Sequence, residues 1–396
     1  MLELLPMKQG VILKKGREKF FEHRHPWIFS GAIEAYPDDF EEGQVCPVLT
    51  WGKQLLGYAY FHSKISLSGR IVSFGKSDPM MAIRENLLSA IQLREKLLQN
   101  PEINAYRLVN GEGDRLPGLI IDKYDDALVL QSGTLGMDRL KTLVGETLAK
   151  TGKCQALYEK STGGSRKEES LQDQVGVLWG EDRGQIPIIE NGLKFLIDWR
   201  HGQKTGFFLD QRPMRELVLK YGSGRKVLNA FAYTGGFSLY ALKGGAVRVD
   251  SIDISERAVS AINDHMDLNR FERANHRAIC QDVFQFLSKE ELEYDFVILD
   301  PPAFAKKKKD IPSAINGYRA INRLAMEKMP KQSLLLTCSC SYYVDESMFR
   351  EMLFQAACEA KREVKIIGRH VMGIDHPINI YHPESDYLKS LLLYLD

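Results

Sequence analysis

The sequence has no run of eighteen apolar residues, so no membrane-spanning helix is expected. Its first ten residues, MLELLPMKQG, carry an acid at Glu3 and no long apolar stretch, so a secretory leader is not expected either. Charge of one sign is lacking: 53 Lys and Arg against 52 Asp and Glu leave +1, so any polyanion has to be met by local patches. Paired cysteines are scarce. Of six, only Cys338 and Cys340 are close, and C-x-C without a second pair is a poor zinc signature. No metal centre is expected, and free thiols in a reducing, cytoplasmic setting are the better reading. Internal repeats, low-complexity tracts and the G-x-G-x-x-G of a dinucleotide fold are also missing.

What is present reads as an ordinary globular chain, 44% hydrophobic and 27% charged. At 396 residues it exceeds one typical core, so several domains are expected. Residues 1–75 show short valine- and aromatic-rich stretches with glycine punctuation and no long amphipathic helix, which predicts a small β-rich module. Its start is basic, with Lys14, Lys15, Arg17 and Arg24 ahead of Trp27. A solvated rim beside a core tryptophan is the plain reading. A phosphate-contacting edge with a stacking aromatic is the functional one. Residues 76–190 mix a helix (MMAIRENLLSAIQLREKLL), turn-linked strands and a second helix (LKTLVGETLAK), and read as an α+β connector. An Asn191-Gly192 hairpin turn opens the remainder, residues 191–396.

From about Asp198 onward apolar strands alternate with amphipathic helices, the pattern of a doubly wound α/β sheet. Ligands of such sheets sit beyond the carboxyl ends of the strands. One strand ends in NAFAYTGGFS, where Gly235-Gly236 permit a sharp turn but supply no glycine set for a pyrophosphate. The next ends at Asp253, placed to accept two ribose hydroxyls, although an acid ending a strand is often only a helix cap. A third ends at Asp282 and a fourth in LDPPAF, at Asp300. Together these suit a nucleoside cofactor without phosphates, S-adenosyl-L-methionine rather than a nicotinamide dinucleotide.

The motifs HPWIFSGAI, HGQKTGFFLDQR, VLNAFAYTGGFSLYA, DFVILDPPAFAKKK and SCS together make the chain resemble a known family. It is similar to the ribosomal RNA large-subunit methyltransferases that carry an N-terminal PUA domain, and specifically to their 5-methylcytosine branch. The resemblance covers essentially the whole chain. It implies a PUA-like RNA-binding domain at 1–75, the connector at 76–190, and a class I, Rossmann-like methyltransferase domain at 191–396. It also implies that Asn229, Phe231, Tyr233, Gly235, Asp253, Asp282 and Asp300 line the cofactor pocket. The QKTGFFLDQR segment would close over the methionine end through Lys204, Phe207, Asp210 and Arg212, with one of Phe207 and Phe208 in the core.

The implied reaction needs a thiolate, because cytosine C5 is a poor carbon nucleophile until a thiolate adds to C6. Asp300 is placed to hold the base edge and Cys340 to attack. Cys338 competes: in a strand the two share a face. Position separates them, since Cys338 adjoins the apolar run and Cys340 lies where the chain leaves the sheet. Related RNA 5-methylcytosine enzymes have T-C-S with paired acids a few residues on, and Asp345-Glu346 fit that spacing only with Cys340 aligned. The second cysteine that many of those enzymes carry in the D-P-P region is absent, which suits the PUA-containing branch and leaves the base that takes the C5 proton open. Lys306 and Lys307, in the run after DPPAFA, are either a solvated loop or phosphate anchors for a flipped-out base. Tyr342 and Tyr343 are candidates for base stacking or for the core. The expected partner is large-subunit ribosomal RNA, with no membrane and with a homodimer as an open option. A ring-nitrogen target such as guanine N7, which needs no thiol, is the alternative, and a non-catalytic RNA-binding protein the more distant one.

Overall fold

A computed structural model describes residues 10–289, 291–305 and 307–396. The chain divides into two compact units, and not by a single cut: residues up to 191, 196–209 and 374–386 form the first, and 192–195, 210–373 and 387–396 the second. The segments 196–209 and 374–386 therefore leave the C-terminal region in which the sequence reading had placed them.

The first unit holds a six-stranded and a five-stranded sheet. In the six-stranded one, the strands run Trp27–Ile28, Gly69–Phe74, Leu55–Phe61, Val45–Leu49, Val11–Leu13 and Ile33–Ala35 in spatial order. Alternating residues such as Val11, Leu13, Val48, Ala59 and Phe61 fill its core. The five-stranded one orders Gln174–Trp179, Ala156–Ser161, Ala127–Ser132, Leu119–Tyr124 and Ala105–Asn110. Its two long helices are Pro79–Leu97 and Leu135–Thr151. Their starts are set locally: the Asp78 carboxylate accepts from the Met81 amide at 2.8 Å ahead of Pro79, and Thr134 caps Met137. Gly152, left-handed at φ 64°, stops the second helix.

The second unit is a seven-stranded sheet. Its strands in chain order are β1 (Lys226–Ala230), β2 (Arg248–Asp253), β3 (His276–Cys280), β4 (Phe296–Leu299), β5 (Ser333–Ser339), β6 (Val364–His370) and β7 (Lys389–Leu395). They lie in the order β3-β2-β1-β4-β5-β7-β6. The first five are parallel, as expected from the alternation with helices, whereas β7 runs antiparallel to both β5 and β6. Helices are α1 (Arg212–Tyr221), α2 (Gly236–Lys243), α3 (Glu256–Leu268), α4 (Val283–Lys289), α5 (Ile311–Lys328) and α6 (Glu346–Ala360).

The central strands are apolar throughout because both faces are covered. Leu228, Val297, Leu299 and Leu335 pack with Phe286 of α4, Ile321 of α5 and Phe349 of α6. Their neighbours Val227, Phe296, Ile298, Leu334 and Leu336 pack on the opposite side with Met214 and Val218 of α1 and Phe237 of α2. Each fully buried aliphatic side chain contributes about 2 kcal/mol. The order change at β1 and β4, where chain connections leave in opposite directions, opens the sheet at their carboxyl ends.

Candidate active site

β1 ends at Ala230, and the turn that follows is strained. Phe231, Tyr233 and Gly235 all have positive φ, at 62°, 48° and 81°. Two of these are aromatic residues for which the left-handed region costs about 1 kcal/mol or more each. The turn is held by the Ala232 amide donating to Ile252 O at 2.8 Å and the Tyr233 amide donating to Asp253 Oδ2 at 2.8 Å. The Gly235 amide closes it by donating to Ala232 O. Gly235 suits the left-handed conformation, and a Cβ there would also meet Ile262 of α3 at a tight 3.2 Å.

Under the turn runs a buried polar chain. Asn229 Nδ2 donates to Ser238 Oγ at 2.8 Å; Ser238 Oγ is 2.6 Å from Ser251 Oγ, and Ser251 Oγ is 2.9 Å from His276 Nε2. Burial pushes the His276 imidazole down to about 4, against the pull of the Asp250 charge. With Nδ2 committed to Ser238, the Asn229 amide has its Oδ1 turned away from the chain. Among the described residues that buried oxygen has no hydrogen-bond partner.

The acids fall on successive strand ends. Asp253 closes β2, and its other carboxylate oxygen accepts from the Ser255 amide at 2.9 Å. Each oxygen keeps lone pairs for a further donor. Asp282 follows β3 and accepts from the Gln285 amide at 2.9 Å, so it does cap α4, the plain role weighed for such acids. Asp300 follows β4 and accepts from Gln211 Nε2 at 2.6 Å. Asp210 and Arg212, beside Gln211, are both buried, and Asp210 Oδ2 accepts from the Tyr387 hydroxyl at 2.5 Å.

The two cysteines have opposite surroundings. Cys338 is the penultimate residue of β5, fully buried on the face packed by α1 and α2, with Sγ 3.5 Å from Ser390 Oγ. Burial pushes its thiol well above the ordinary range, and the Asp300 charge adds to the effect. Cys340 lies one residue past the strand, only partly buried, with Sγ 3.9 Å from Pro301 O of the D-P-P turn. Ser341 ties the two turns together. Its Oγ accepts from the Ala305 amide at 3.2 Å and is 2.9 Å from the Tyr318 hydroxyl of α5. Tyr342 and Tyr343 are exposed.

Asn229, Phe231, Tyr233, Gly235, Asp253, Asp282, Asp300, Asp210, Arg212 and Cys340 thus all belong to the second unit. Lys204 and Phe207 belong to the first, where Lys204 Nζ stands 4.4 Å over the Phe208 ring and Phe207 is buried. Gln211, Ser341, Tyr387 and Lys389 were missed as site residues. Only the register of β7 against β5 brings the last two to the site, and no local motif signals it.

Of the basic residues near the start of the described chain, Arg17 and Trp27 line one surface cleft of about 610 Å³ with Lys19, His23, Phe29 and Tyr381. Lys14 and Lys15 are exposed outside it, and Arg24 stands 5.8 Å from the Phe74 ring. Trp27 Nε1 donates to Glu112 at 2.9 Å, so the tryptophan is anchored as well as partly open. His25, His382 and Glu384 cluster close by, with their candidate ligand atoms within 4.8 Å of one another. His25 Nδ1 accepts the Trp27 amide at 3.2 Å, and its Nε2 lies 3.6 Å from Glu384 Oε1. Lys307 is exposed, its amide donating to Asp310, while Lys306 lies outside the described residues. Among the described residues no helix is long and apolar enough to cross a membrane.

Comparisons with known proteins agree with this geometry. The S-adenosylmethionine-dependent methyltransferase family matches residues 168–370, and a PUA-like domain matches residues 11–74. The ribosomal RNA large subunit methyltransferase I of Aeromonas hydrophila is 36% identical over 395 residues, covering 98% of this chain and 99% of the relative. The protein of the same name from Aliivibrio fischeri is 37% identical over 391 residues, covering 97% and 98%. The crystal structure of SMU.776 complexed with SAH superimposes with a TM-score of 0.83 at 25% identity, over 97% of this chain and 99% of that one.

Proposed function

The chain belongs to the S-adenosylmethionine-dependent methyltransferase family that includes the ribosomal RNA large subunit methyltransferase I proteins, and on that premise we propose that it methylates cytosine C5 in large-subunit ribosomal RNA. The observation that carries the reading is the pair of turns at the ends of β4 and β5, with a partly open Cys340 against the D-P-P turn and Cys338 sealed beneath.

S-adenosylmethionine supplies a sulfonium-bound methyl group. The residues present fit it. Asp253 retains acceptor capacity for two hydroxyls, Asn229 presents an orphaned amide oxygen, and the Gly235 turn brings backbone close without a cationic side chain built for phosphate. Phe231, Tyr233 and Asp282 are proposed for the same rim, and Asp210 and Arg212 for the methionine end.

Cys340 adds as thiolate to cytosine C6, forming the S–C6 bond and moving the C5=C6 pair onto C5. Asp300, fixed by Gln211, holds the base edge where charge develops. C5 would then take the methyl group of S-adenosylmethionine, the sulfonium S–CH3 bond breaking with its electron pair left on sulfur. A base removes the C5 proton, the electron pair re-forms C5=C6, and the S–C6 bond breaks to return the thiolate. An unstacked nucleotide is required for the base to reach the strand ends. An RNA partner is further supported by the cleft of Arg17, Trp27 and Phe29 and by the exposed Lys307–Lys309 run.

The test is incubation with S-adenosylmethionine and ribosomal RNA from cells lacking the gene, with the product nucleoside mapped. Cys340→Ala is expected to abolish turnover and the covalent adduct with 5-fluorocytosine-containing RNA. Methyl found only on guanine or on a ring nitrogen, with Cys340→Ala fully active, would establish the guanine-N7 type of chemistry instead.

A further inference from the structure

Lys389 opens β7 directly across from Ser339 in the antiparallel pairing with β5. That register sets its side chain at the tip of β5, where the chain turns through Cys340. Its Nζ donates to Ser341 O at 2.7 Å and to Tyr387 O at 2.7 Å, and the side chain is half-buried. Fixing a lysine in this way costs up to about 2 kcal/mol of rotamer freedom, which a solvated surface lysine keeps.

The surroundings of the turn are acidic. Asp300 after β4 and Asp210 before α1 both act on the neighbouring Cys338 sulfur. Asp345 at the start of α6 lies within the field of Lys389. Tyr318 of α5 and Cys338 are titratable neutral groups in electrostatic reach of Cys340. The Pro301 carbonyl oxygen faces the Cys340 sulfur. Carboxylates and a carbonyl oppose a thiolate, and a cation on the same turn offsets them.

We infer that Lys389 is a positioning residue for Cys340: its ammonium holds the Ser341 carbonyl, and with it the turn that carries the thiol, and sets a positive charge beside the thiolate against Asp300 and Asp210. The inference rests on the cysteine-addition reading above. It gives Lys389 no contact with substrate. An unperturbed thiol is about one-tenth ionised near pH 7.5, so losing one unit of electrostatic support leaves about tenfold less nucleophile.

The experiment follows iodoacetamide alkylation of the Cys340 peptide by mass spectrometry as a function of pH, alongside turnover on ribosomal RNA. It uses the full-length protein and its Lys389→Met, Lys389→Gln and Lys389→Arg variants. Both Met and Gln are expected to move the alkylation profile to higher pH, with about tenfold slower alkylation at pH 7.5 and at least tenfold lower kcat. Gln retains a donor for Ser341, so it keeps the turn while removing the charge and guards against misfolding in the Met variant. Arg is expected to restore the profile. An unchanged profile in a folded Lys389→Gln protein overturns the assignment, whatever its kcat. A shifted profile together with a fully active Cys340→Ala protein upholds Lys389 and sinks the cysteine-addition reading. An unshifted profile with an inactive Cys340→Ala protein does the reverse.

Discussion

Gln211 donates its side-chain amide to Asp300 at 2.6 Å, joining the residue before α1 to the D-P-P turn after β4. A hydrogen bond to a charged group is worth about 1.5–3 kcal/mol, or ten- to a hundredfold in rate if it is needed in the transition state. Gln211→Ala is expected to lower kcat within that range. Steady-state kinetics on ribosomal RNA checks it, and a wild-type kcat would show that Asp300 needs no such support.

Cys338 is expected to matter for folding and not for chemistry. Cys338→Ala should retain turnover and lose about 1–2 kcal/mol of stability through the lost sulfur packing. Cys338→Thr brings a hydroxyl and a branch into the same closed space and should cost more. Urea unfolding and turnover measured on the same preparations separate the two effects, and an inactive but stable Cys338→Ala protein would contradict the division of roles.

Gly235→Ala asks a left-handed residue to carry a Cβ at 3.2 Å from Ile262. The substitution should cost about 1–2 kcal/mol of stability and displace the turn. Affinity for S-adenosylhomocysteine, measured by calorimetry, should fall at least tenfold. An unchanged Kd would mean that the turn is not part of the cofactor pocket.

His276 predicts an acid-side loss of stability. Folding pushes its imidazole from 6.5 down to about 4. Above pH 6.5 the imidazole is neutral in both states and nothing is lost. As pH falls from 6.5 towards 4, the unfolded chain takes up a proton that the folded chain refuses, so stability drops, by about 2 kcal/mol between pH 7 and pH 5. Urea midpoints of wild type and His276→Gln at these two pH values check it, the variant being expected to lose less. Equal slopes would show that His276 titrates normally.

Much of the second unit was legible because its parallel strands advertise themselves: FVIL and LLL are apolar at every position, and each is followed by an amphipathic helix. The antiparallel pair β6 and β7 was not, since VKIIGRH alternates with charge like any half-exposed strand and nothing local fixes its partner. Asp253 and Asp300 could be singled out because strand ends are visible in sequence. Gln211, Tyr387 and Lys389 could not, because each acts through a contact from 48 to 177 residues away. The left-handed Phe231 and Tyr233 were equally hidden, since their type argues against that conformation and only the surrounding hydrogen bonds impose it.

One oxygen, Ser341 Oγ, serves the Ala305 amide on one side and the Tyr318 hydroxyl on the other. Evolutionary drift in the two loops is therefore not independent. Insertions ahead of Ala305 would have to be answered by changes around Ser341, a constraint that does not reach the exposed side chains of Lys307–Lys309. Adaptation to a different RNA should accordingly be written beyond that anchor, in the lysines, and not within the pair of turns that it pins.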